Sequence, residues 1–186
     1  MNSFSKNSGY AKPSISFHGK LAADAPLKRQ LLGLAAWIAL CFVAGAIGAI
    51  ASAHAAAFYD QLVRPSWAPP ASVFGPVWTV LYLMMGVAAW LVWRVSGFQG
   101  ARRGLTLFLV QLVPNALWSW VFFVWHHGAL AFMDILVLWI LILLTAIAFW
   151  RVRPLAGLLL TPYLAWATFA CALNLATWRL NPQFLG

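Results

Sequence analysis

The fold class is decided by the stretch ALAFMDILVLWILILLTAIAFW, residues 129–150. Its 22 residues contain one charge, Asp134, and apolar and polar residues do not alternate along it. A helix needs about 20 apolar residues to cross a bilayer, whereas a transmembrane strand alternates with a period of two residues. The stretch therefore predicts a transmembrane α-helix.

The whole chain has the composition of an integral membrane protein. Hydrophobic residues make up 63% of the 186 residues and charged residues only 8%, whereas soluble domains carry about 25% charged residues. The 12 tryptophans favour membrane–water interfaces. The net charge of +9 is spread over predicted helix ends without a nucleic-acid-binding motif, so we expect the lipid bilayer as partner and no nucleic acid.

Four further apolar segments have a similar length, so we predict an all-α integral membrane protein, a bundle of five transmembrane helices. Its predicted spans are Leu31–Ala53, Phe74–Arg94, Leu105–Trp125, Ala129–Trp150 and Pro154–Trp178. Residues 1–30 are polar and basic, and we interpret them as a disordered tail. Residues 31–186 are interpreted as one transmembrane domain.

A cleaved signal peptide is the alternative for the first span. Lys28 and Arg29 precede this span, and Ala51-Ser52-Ala53 near its end resembles a cleavage site. However, the apolar stretch is longer than the roughly 7–15 residues of a signal peptide. We therefore favour a retained transmembrane helix.

The basic residues predict the orientation. Ten of the 12 Lys and Arg residues share one side of the predicted bundle. These are Lys6, Lys12, Lys20, Lys28, Arg29, Arg94, Arg102, Arg103, Arg151 and Arg153. Only Arg64 and Arg179 lie on the other side. Because positive charges accumulate in cytoplasmic loops, we expect a cytoplasmic N-terminus and an outside C-terminus, a pattern that suits a bacterial cell membrane.

Polar and aromatic residues recur at four-residue spacing, which places them on single helix faces. Three faces contain Trp78, Tyr82 and Gly86; Gln111, Asn115 and Ser119; and Trp166, Ala170 and Asn174. With the predicted orientation all three lie in the outer half of the bundle, together with Trp118. An apolar cavity with a few polar groups is the usual form of a small-molecule site. The alternative is that these groups only join helices, at about 0.6 kcal/mol for each hydrogen bond.

Other residues shape the predicted helices. Pro114 and Pro162 lie inside the third and fifth spans, where each is expected to bend its helix. Small residues of the first span, including Gly45 and Gly48, permit close approach of a neighbour, which is either another helix of the chain or a dimer partner.

The sequence predicts neither a metal site nor a hydrolytic site. His126 and His127 are adjacent and lack the i, i+4 spacing of two ligands on one helix. Asp134 is interpreted either as a ligand contact or as a hydrogen-bond acceptor between helices. No serine–histidine pair is arranged for nucleophilic catalysis.

The segment before the second span is stiff. Pro65, Pro69 and Pro70 fix their own backbones and bias the residues before them toward extended conformations. This proline-rich first loop therefore has little conformational entropy left to lose. We predict that it forms a lid over the helix ends, with Trp67 as its aromatic anchor.

These segments identify the chain by resemblance. Its signatures are FYDQLVRPSWAPPASVFGPVWTVLYLMMGVAAWLVW, QLVPNALWSWVFF and PYLAWATFACALNLATWRLN. The chain resembles the translocator protein family, also called TspO/MBR, tryptophan-rich sensory proteins or peripheral-type benzodiazepine receptors. The resemblance covers about residues 33–182.

The resemblance implies five transmembrane helices, a first-loop lid, frequent homodimers and a cavity for porphyrins, sterols and synthetic aromatic ligands. The family's ligand contacts match Tyr59, Trp67, Pro69, Trp78, Tyr82, Asn115, Trp118, Trp166 and Ala170. Asn174 joins this set from the helix face defined above. Ala170 also matches a variable position that affects ligand binding. Leu175 replaces the tyrosine of the cholesterol motif, so a tetrapyrrole such as protoporphyrin IX is the expected ligand.

Three functions are implied by this resemblance. The first is a porphyrin-binding receptor or sensor that needs no cofactor. The second is a transporter of porphyrin or sterol-like molecules, although the inverted repeats of common secondary transporters are absent from the sequence. The third is an enzyme that degrades porphyrin with light and oxygen, in which Trp78 and Trp166 match the tryptophans implicated in some family members.

Overall fold

A computed structural model describes residues 26–53 and 55–186 of the chain. Eight α-helices lie in these ranges, and no strand is found there. They are α1 (Leu27–Ala51), α2 (Ala55–Gln61), α3 (Phe74–Gly100), α4 (Arg102–Ser119), α5 (Gly128–Val152), α6 (Pro154–Leu159), α7 (Thr161–Leu180) and α8 (Pro182–Leu185). A 3-10 turn at Ala71–Val73 leads into α3, and a π-helical turn at Trp120–Val124 prolongs α4.

The predicted five-span bundle is confirmed. The spans are α1, α3, α4 with its π-helical turn, α5, and the pair α6–α7, each long and apolar enough to cross a membrane. Large apolar side chains remain exposed on their outer surfaces, as at Val43, Ile47 and Ile50 of α1. Because lipid tails are apolar, a transmembrane helix needs no polar outer face.

Helix α1 begins one turn before Leu31, the approximate start predicted for the first span. Helix α1 begins at Leu27, directly after Pro26, whose backbone is extended (φ −49°, ψ 144°). Proline disfavours a helical conformation in the residue before it, so the helix starts only after Pro26. Residues 27–30 of the predicted tail are therefore helical, and residues 1–25 lie outside the described part of the chain.

The small residues of α1 pack against helices of the same chain. A Cβ atom added to Gly45 would lie 2.5 Å from Cε2 of Tyr82 on α3, and one added to Gly48 would lie 3.3 Å from Oγ of Ser119 on α4. Close approach at these two glycines is therefore internal. Of the two neighbours expected from the sequence, another helix of the chain or a dimer partner, these glycines contact helices of the same chain.

The predicted fifth span is confirmed as one apolar segment, Pro154–Leu180, which consists of two consecutive helices. Helix α6 ends at Leu159, and α7 begins at Thr161 with Pro162 in its first turn. A proline in the first turn removes an N–H group that has no intrahelical partner there. Pro114 instead lies inside α4, which continues through it, so the same residue type has different consequences at the two positions.

The first loop, which here includes the short helix α2 and covers residues 55–73, lies at one end of the bundle, which we call the first-loop end. Helices α3 and α5 begin there, and α4 and α7 end there. A large central core joins α1, α3, α4, α5, α6 and α7. A separate small core at the first-loop end combines side chains from distant parts of the sequence, namely Phe58, Leu62, Trp118, Val121, Phe122, Phe123, Ala131, Trp178 and Leu185.

Candidate functional site

A buried hydrogen-bond chain joins three helices below the first loop. The hydroxyl of Tyr82 on α3 donates to Oδ1 of Asn115 on α4 over 2.7 Å. Nδ2 of Asn115 in turn donates to the hydroxyl oxygen of Tyr163 on α7 over 2.7 Å. All three side chains are buried. Since buried polar groups need partners, Asn115 fixes the positions of both tyrosine rings.

Trp78 packs on this chain. Its ring stacks on Tyr82, with centroids 5.3 Å apart and planes inclined by 27°. It also meets the edge of Tyr163 at 6.0 Å. Both are favourable geometries for aromatic pairs. The indole of Trp78 therefore lies on a surface whose shape is set by Asn115.

A second set of rings connects the first loop to α7. Tyr59 meets Phe74 at 5.8 Å, Phe74 meets Trp166 at 5.9 Å, Trp166 meets Phe169 at 5.4 Å, and Phe169 meets Trp67 at 5.7 Å. We call these five rings the aromatic series. It begins and ends on the first loop, and its middle members belong to α3 and α7. The loop is thus packed against the helices, as the predicted lid requires.

The loop is also closed on itself. The Tyr59 hydroxyl donates to the Pro69 carbonyl over 3.4 Å, and the Arg64 guanidinium lies 4.9 Å above the Tyr59 ring. Burial raises the pKa of Tyr59 above its usual value, and the nearby Arg64 partly offsets this rise. Arg64 also forms an ion pair with Asp60 at 3.6 Å.

An apolar groove of about 630 Å³ opens between α3 and α7 beside the aromatic series. Trp166 and Phe169 of the series form part of its wall, with Pro162 at the start of α7. Pro76, Val80 and Met84 line the α3 side. Trp166 is the one member of the predicted contact set that lines this groove.

Two other predicted contacts belong to a different network. Nε1 of Trp118 donates to Oδ1 of Asn174 over 3.0 Å, and Nδ2 of Asn174 donates to the Gly128 carbonyl over 3.2 Å. The Trp118 ring stacks on Phe122 at 5.0 Å. This network lies in the small core at the first-loop end. The predicted contact set therefore divides between the central hydrogen-bond chain, the aromatic series and this core. Its remaining member, Ala170, is half-buried and lies one turn beyond Trp166 on α7.

Residues 37–179 match the profile of the TspO/MBR family. The chain belongs to the TspO/MBR family. The tryptophan-rich protein TspO of Chlorobaculum tepidum is 42% identical over 161 residues, which cover 84% of this chain and 100% of that protein. Protein CrtK of Rhodobacter capsulatus is 41% identical, covering 80% of this chain and 92% of its own. The translocator protein of Homo sapiens is 40% identical, covering 69% and 78%.

The predicted contact set of this TspO/MBR protein omits two residues that organise the site. Tyr163 is almost fully buried, at 1% exposure, and is the second partner of Asn115. Phe74 connects Tyr59 to Trp166. Tyr163 lies three residues before Trp166, within the Pro-Tyr-x-x-Trp signature, so helical spacing offered a signal for it. Phe74 is an apolar residue at the predicted start of a span, where nothing marks it.

Three side chains, those of Gln111, Asp134 and Thr177, have buried polar atoms without a partner in the described part of the TspO/MBR chain. Both amide atoms of Gln111 are buried and unpaired, one turn before Asn115, and so is one carboxylate oxygen of the half-buried Asp134. The described residues contain no cluster of three His, Cys, Asp or Glu side chains that could hold a metal ion. The chemistry of the site is accordingly aromatic packing supported by neutral hydrogen bonds.

Proposed function

We propose that this TspO/MBR protein is a membrane receptor that binds a porphyrin-type tetrapyrrole at the first-loop end of the bundle. The observation that carries the proposal is the aromatic series beside the 630 Å³ groove. Small-molecule sites typically measure about 300–1,000 Å³ and are lined mainly by apolar and aromatic side chains. A tetrapyrrole is flat and apolar on both faces, so it suits a wall of aromatic rings.

Arg64 of the first loop is the expected partner of the negatively charged propionate groups of a porphyrin. Arg64 is partly exposed, and its ion pair with Asp60 at 3.6 Å joins side chains that are 35% and 69% exposed. An exposed pair of this kind contributes little free energy. A propionate of the ligand can therefore take the place of Asp60, while the macrocycle contacts Trp166 and Phe169.

The hydrogen-bond chain through Asn115 positions the aromatic side chains next to the site. Both hydrogen bonds of its side chain are made to buried tyrosines that pack against Trp78. We therefore assign Asn115, Tyr82 and Tyr163 to holding Trp78 in place. Trp166 and Trp67 are assigned to contacting the macrocycle.

A protoporphyrin IX titration of the purified protein in lipid nanodiscs, followed by tryptophan fluorescence, tests the proposal. We expect saturable quenching and, for Trp166→Ala, about ten-fold or more weaker binding, as for an aromatic anchor in a binding interface. Trp150→Ala is the matched control, since this indole is 52% exposed and lies at the opposite end of α5. Equal affinities of the Trp166→Ala variant and the wild type would refute the assigned site.

The same complex under illumination distinguishes a receptor from a porphyrin-degrading enzyme. If the protein is a receptor, illumination leaves the absorption spectrum of the bound porphyrin unchanged, apart from bleaching. This bleaching should then be equally fast in a variant that lacks both Trp78 and Trp166. The relevant comparison is the double variant Trp78→Phe/Trp166→Phe at equal porphyrin occupancy. Faster spectral loss in the wild type would replace the receptor assignment with an enzymatic one.

A further inference from the structure

Asn181, directly after α7, uses its whole side-chain amide to hold the first loop. Its Oδ1 accepts a hydrogen bond from the backbone N–H of Val63 over 2.8 Å. Its Nδ2 donates to the Val63 carbonyl over 2.8 Å and to the Thr177 carbonyl over 2.7 Å. The residue is completely buried. The amide therefore pairs with both backbone groups of Val63, as a neighbouring strand would, and is anchored to the last turn of α7.

This pair is the hydrogen-bonded link between the loop and the bundle. Within residues 62–69 of the described chain, the other hydrogen bonds stay inside the loop, as in Leu62 to Tyr59 and Ala68 to Pro65. The Val63 side chain is 55% exposed and adds little anchoring of its own. Its neighbour Leu62 is buried in the small core with Leu185. Asn181 thus holds the backbone at the point where the chain leaves this core and enters the proline-rich segment.

The position of Val63 controls the placement of the residues after it in the chain. Arg64 is the next residue, and Trp67, four residues beyond Val63, contacts Phe169 of α7 through the aromatic series. Pro65, Pro69 and Pro70 stiffen the segment between Val63 and α3. A stiff segment held at its base moves as a unit, so releasing the base displaces both Arg64 and Trp67.

We propose that Asn181 is a positioning residue that keeps the first loop closed over the ligand site and thereby sets the rate at which ligand leaves. The link to ligand release rests on the function proposed above. Asn181 itself does not touch the ligand. It acts through the backbone of Val63, and through that on Arg64 and Trp67.

Two variants and a matched control test this assignment. Asn181→Leu has a similar size and removes all three hydrogen bonds, whereas Asn181→Asp retains an acceptor and turns a carboxylate oxygen toward the carbonyls of Val63 and Thr177. Thr177→Val is the control. Its side chain is buried beside Asn181, its hydroxyl has no partner, and the substitution leaves the carbonyl that Asn181 uses. Helix content and elution volume establish that each variant is folded, and either Asn181 variant suffices if the other does not fold.

Two readouts are measured on the full chain in nanodiscs. The first is hydrogen exchange of the Val63 amide without ligand, which we expect to be about ten- to thirty-fold faster in the Asn181 variants, because two hydrogen bonds hold this residue. The second is the dissociation rate of protoporphyrin IX, which we expect to rise while the absorption spectrum of the bound state stays that of the wild type. The Thr177→Val protein should match the wild type in both measurements.

Unchanged exchange at Val63 in the folded Asn181 variants overturns the proposal, since the loop is then held by other contacts. Faster exchange with an unchanged porphyrin dissociation rate also overturns it, because the loop then moves without affecting the site. If the wild type shows no saturable porphyrin binding, the proposed function fails and the link to ligand release fails with it. Exchange at Val63 still decides in that case whether Asn181 holds the loop.

Discussion

One side chain, that of Asn115, joins three transmembrane helices through two hydrogen bonds of 2.7 Å. Hydrogen bonds between membrane helices average about 0.6 kcal/mol and reach about 1.7 kcal/mol. We expect Asn115→Leu to lower the free energy of unfolding by about 1–3 kcal/mol, since both bonds are lost and two buried hydroxyls are left without this partner. Denaturation with SDS, followed by circular dichroism, measures the change.

Thr79→Val is the control for this experiment. The Thr79 hydroxyl is exposed and donates to the Gly75 carbonyl of its own helix over 2.9 Å, so its removal should change the free energy of unfolding by less than about 0.5 kcal/mol. If the two variants are destabilised equally, Asn115 does not act as a bridge between helices.

Tyr59 gives the first loop a dependence on alkaline pH. Burial raises the pKa of its hydroxyl, with a smaller opposing effect of Arg64, so the closed loop favours the protonated form. The contribution of this group to stability is therefore complete below the usual tyrosine pKa of about 10 and is lost as the pH rises toward the raised value. We expect proteolytic cleavage of the first loop to accelerate in this alkaline range.

Tyr59→Phe tests the origin of the alkaline effect. The variant keeps the ring contact with Phe74 and removes the titrating hydroxyl, so its cleavage should lack the alkaline step once the protease's own pH profile is subtracted. A step of equal size in the variant would assign the pH dependence to another group.

At the level of helices, α1 and α3 approach so closely that one contact tolerates no side chain. A Cβ atom added to Gly86 would lie 2.7 Å from the Ile38 Cα atom, which is backbone and cannot rotate away. Gly86→Ala should therefore separate the two helices and lower the free energy of unfolding by about 1–3 kcal/mol. SDS denaturation again measures the effect.

Gly75 provides the matched comparison on the same helix. A Cβ atom at Gly75 would have no atom within 4 Å, and alanine has the higher helix propensity. Gly75→Ala should therefore change the free energy of unfolding by less than about 1 kcal/mol, because the helix propensity of alanine is opposed by Pro76, which disfavours a helical conformation in the residue before it. Destabilisation of both variants to the same degree would show that loss of glycine, rather than the contact with α1, is responsible.

The sequence predicted the number of spans but not every helix. Hydropathy identifies a segment that can lie in lipid, and both α6 and the start of α7 satisfy it, so the interruption at Leu160 is invisible to that criterion. Pro162 indicated a disturbed helix near this interruption, but Pro114 gave the same indication and lies inside the continuous helix α4. Helix α6 itself packs tightly on α5, since a Cβ atom added to Gly157 would lie 2.8 Å from the Trp150 Cβ atom.

For the whole molecule, the distribution of basic residues predicts the orientation in the membrane. Single cysteines at exposed positions of opposite ends, Ser72→Cys and Gln99→Cys, test it in a background with Cys41 and Cys171 replaced by alanine. We expect a membrane-impermeant thiol reagent applied to intact cells to label the cysteine at position 72 and not that at position 99, because positive charges are retained inside. The reverse labelling pattern would invert the predicted topology, and disrupted cells supply the control in which both positions react.

The candidate site was predictable in part. Four-residue spacing correctly grouped Tyr82 with Trp78 on one helix, because that spacing is a property of the helix itself. It could not show that Asn115 bonds Tyr163, because a partner on another helix depends on how the helices rotate against each other. Asn181 lies beyond the last predicted span, so a search for polar residues inside the membrane passes over it.

The two hydrogen bonds between Val63 and Asn181 can form only after both residues have been synthesised. The two residues are 118 positions apart, and a ribosome adds about 5–20 residues per second. Val63 therefore waits roughly 6–24 s for its partner at those rates. During that interval Leu62 also lacks Leu185, its neighbour in the small core. The proline-rich segment is thus made well before the residues that secure it, which leaves it open to proteases and chaperones until translation reaches α8.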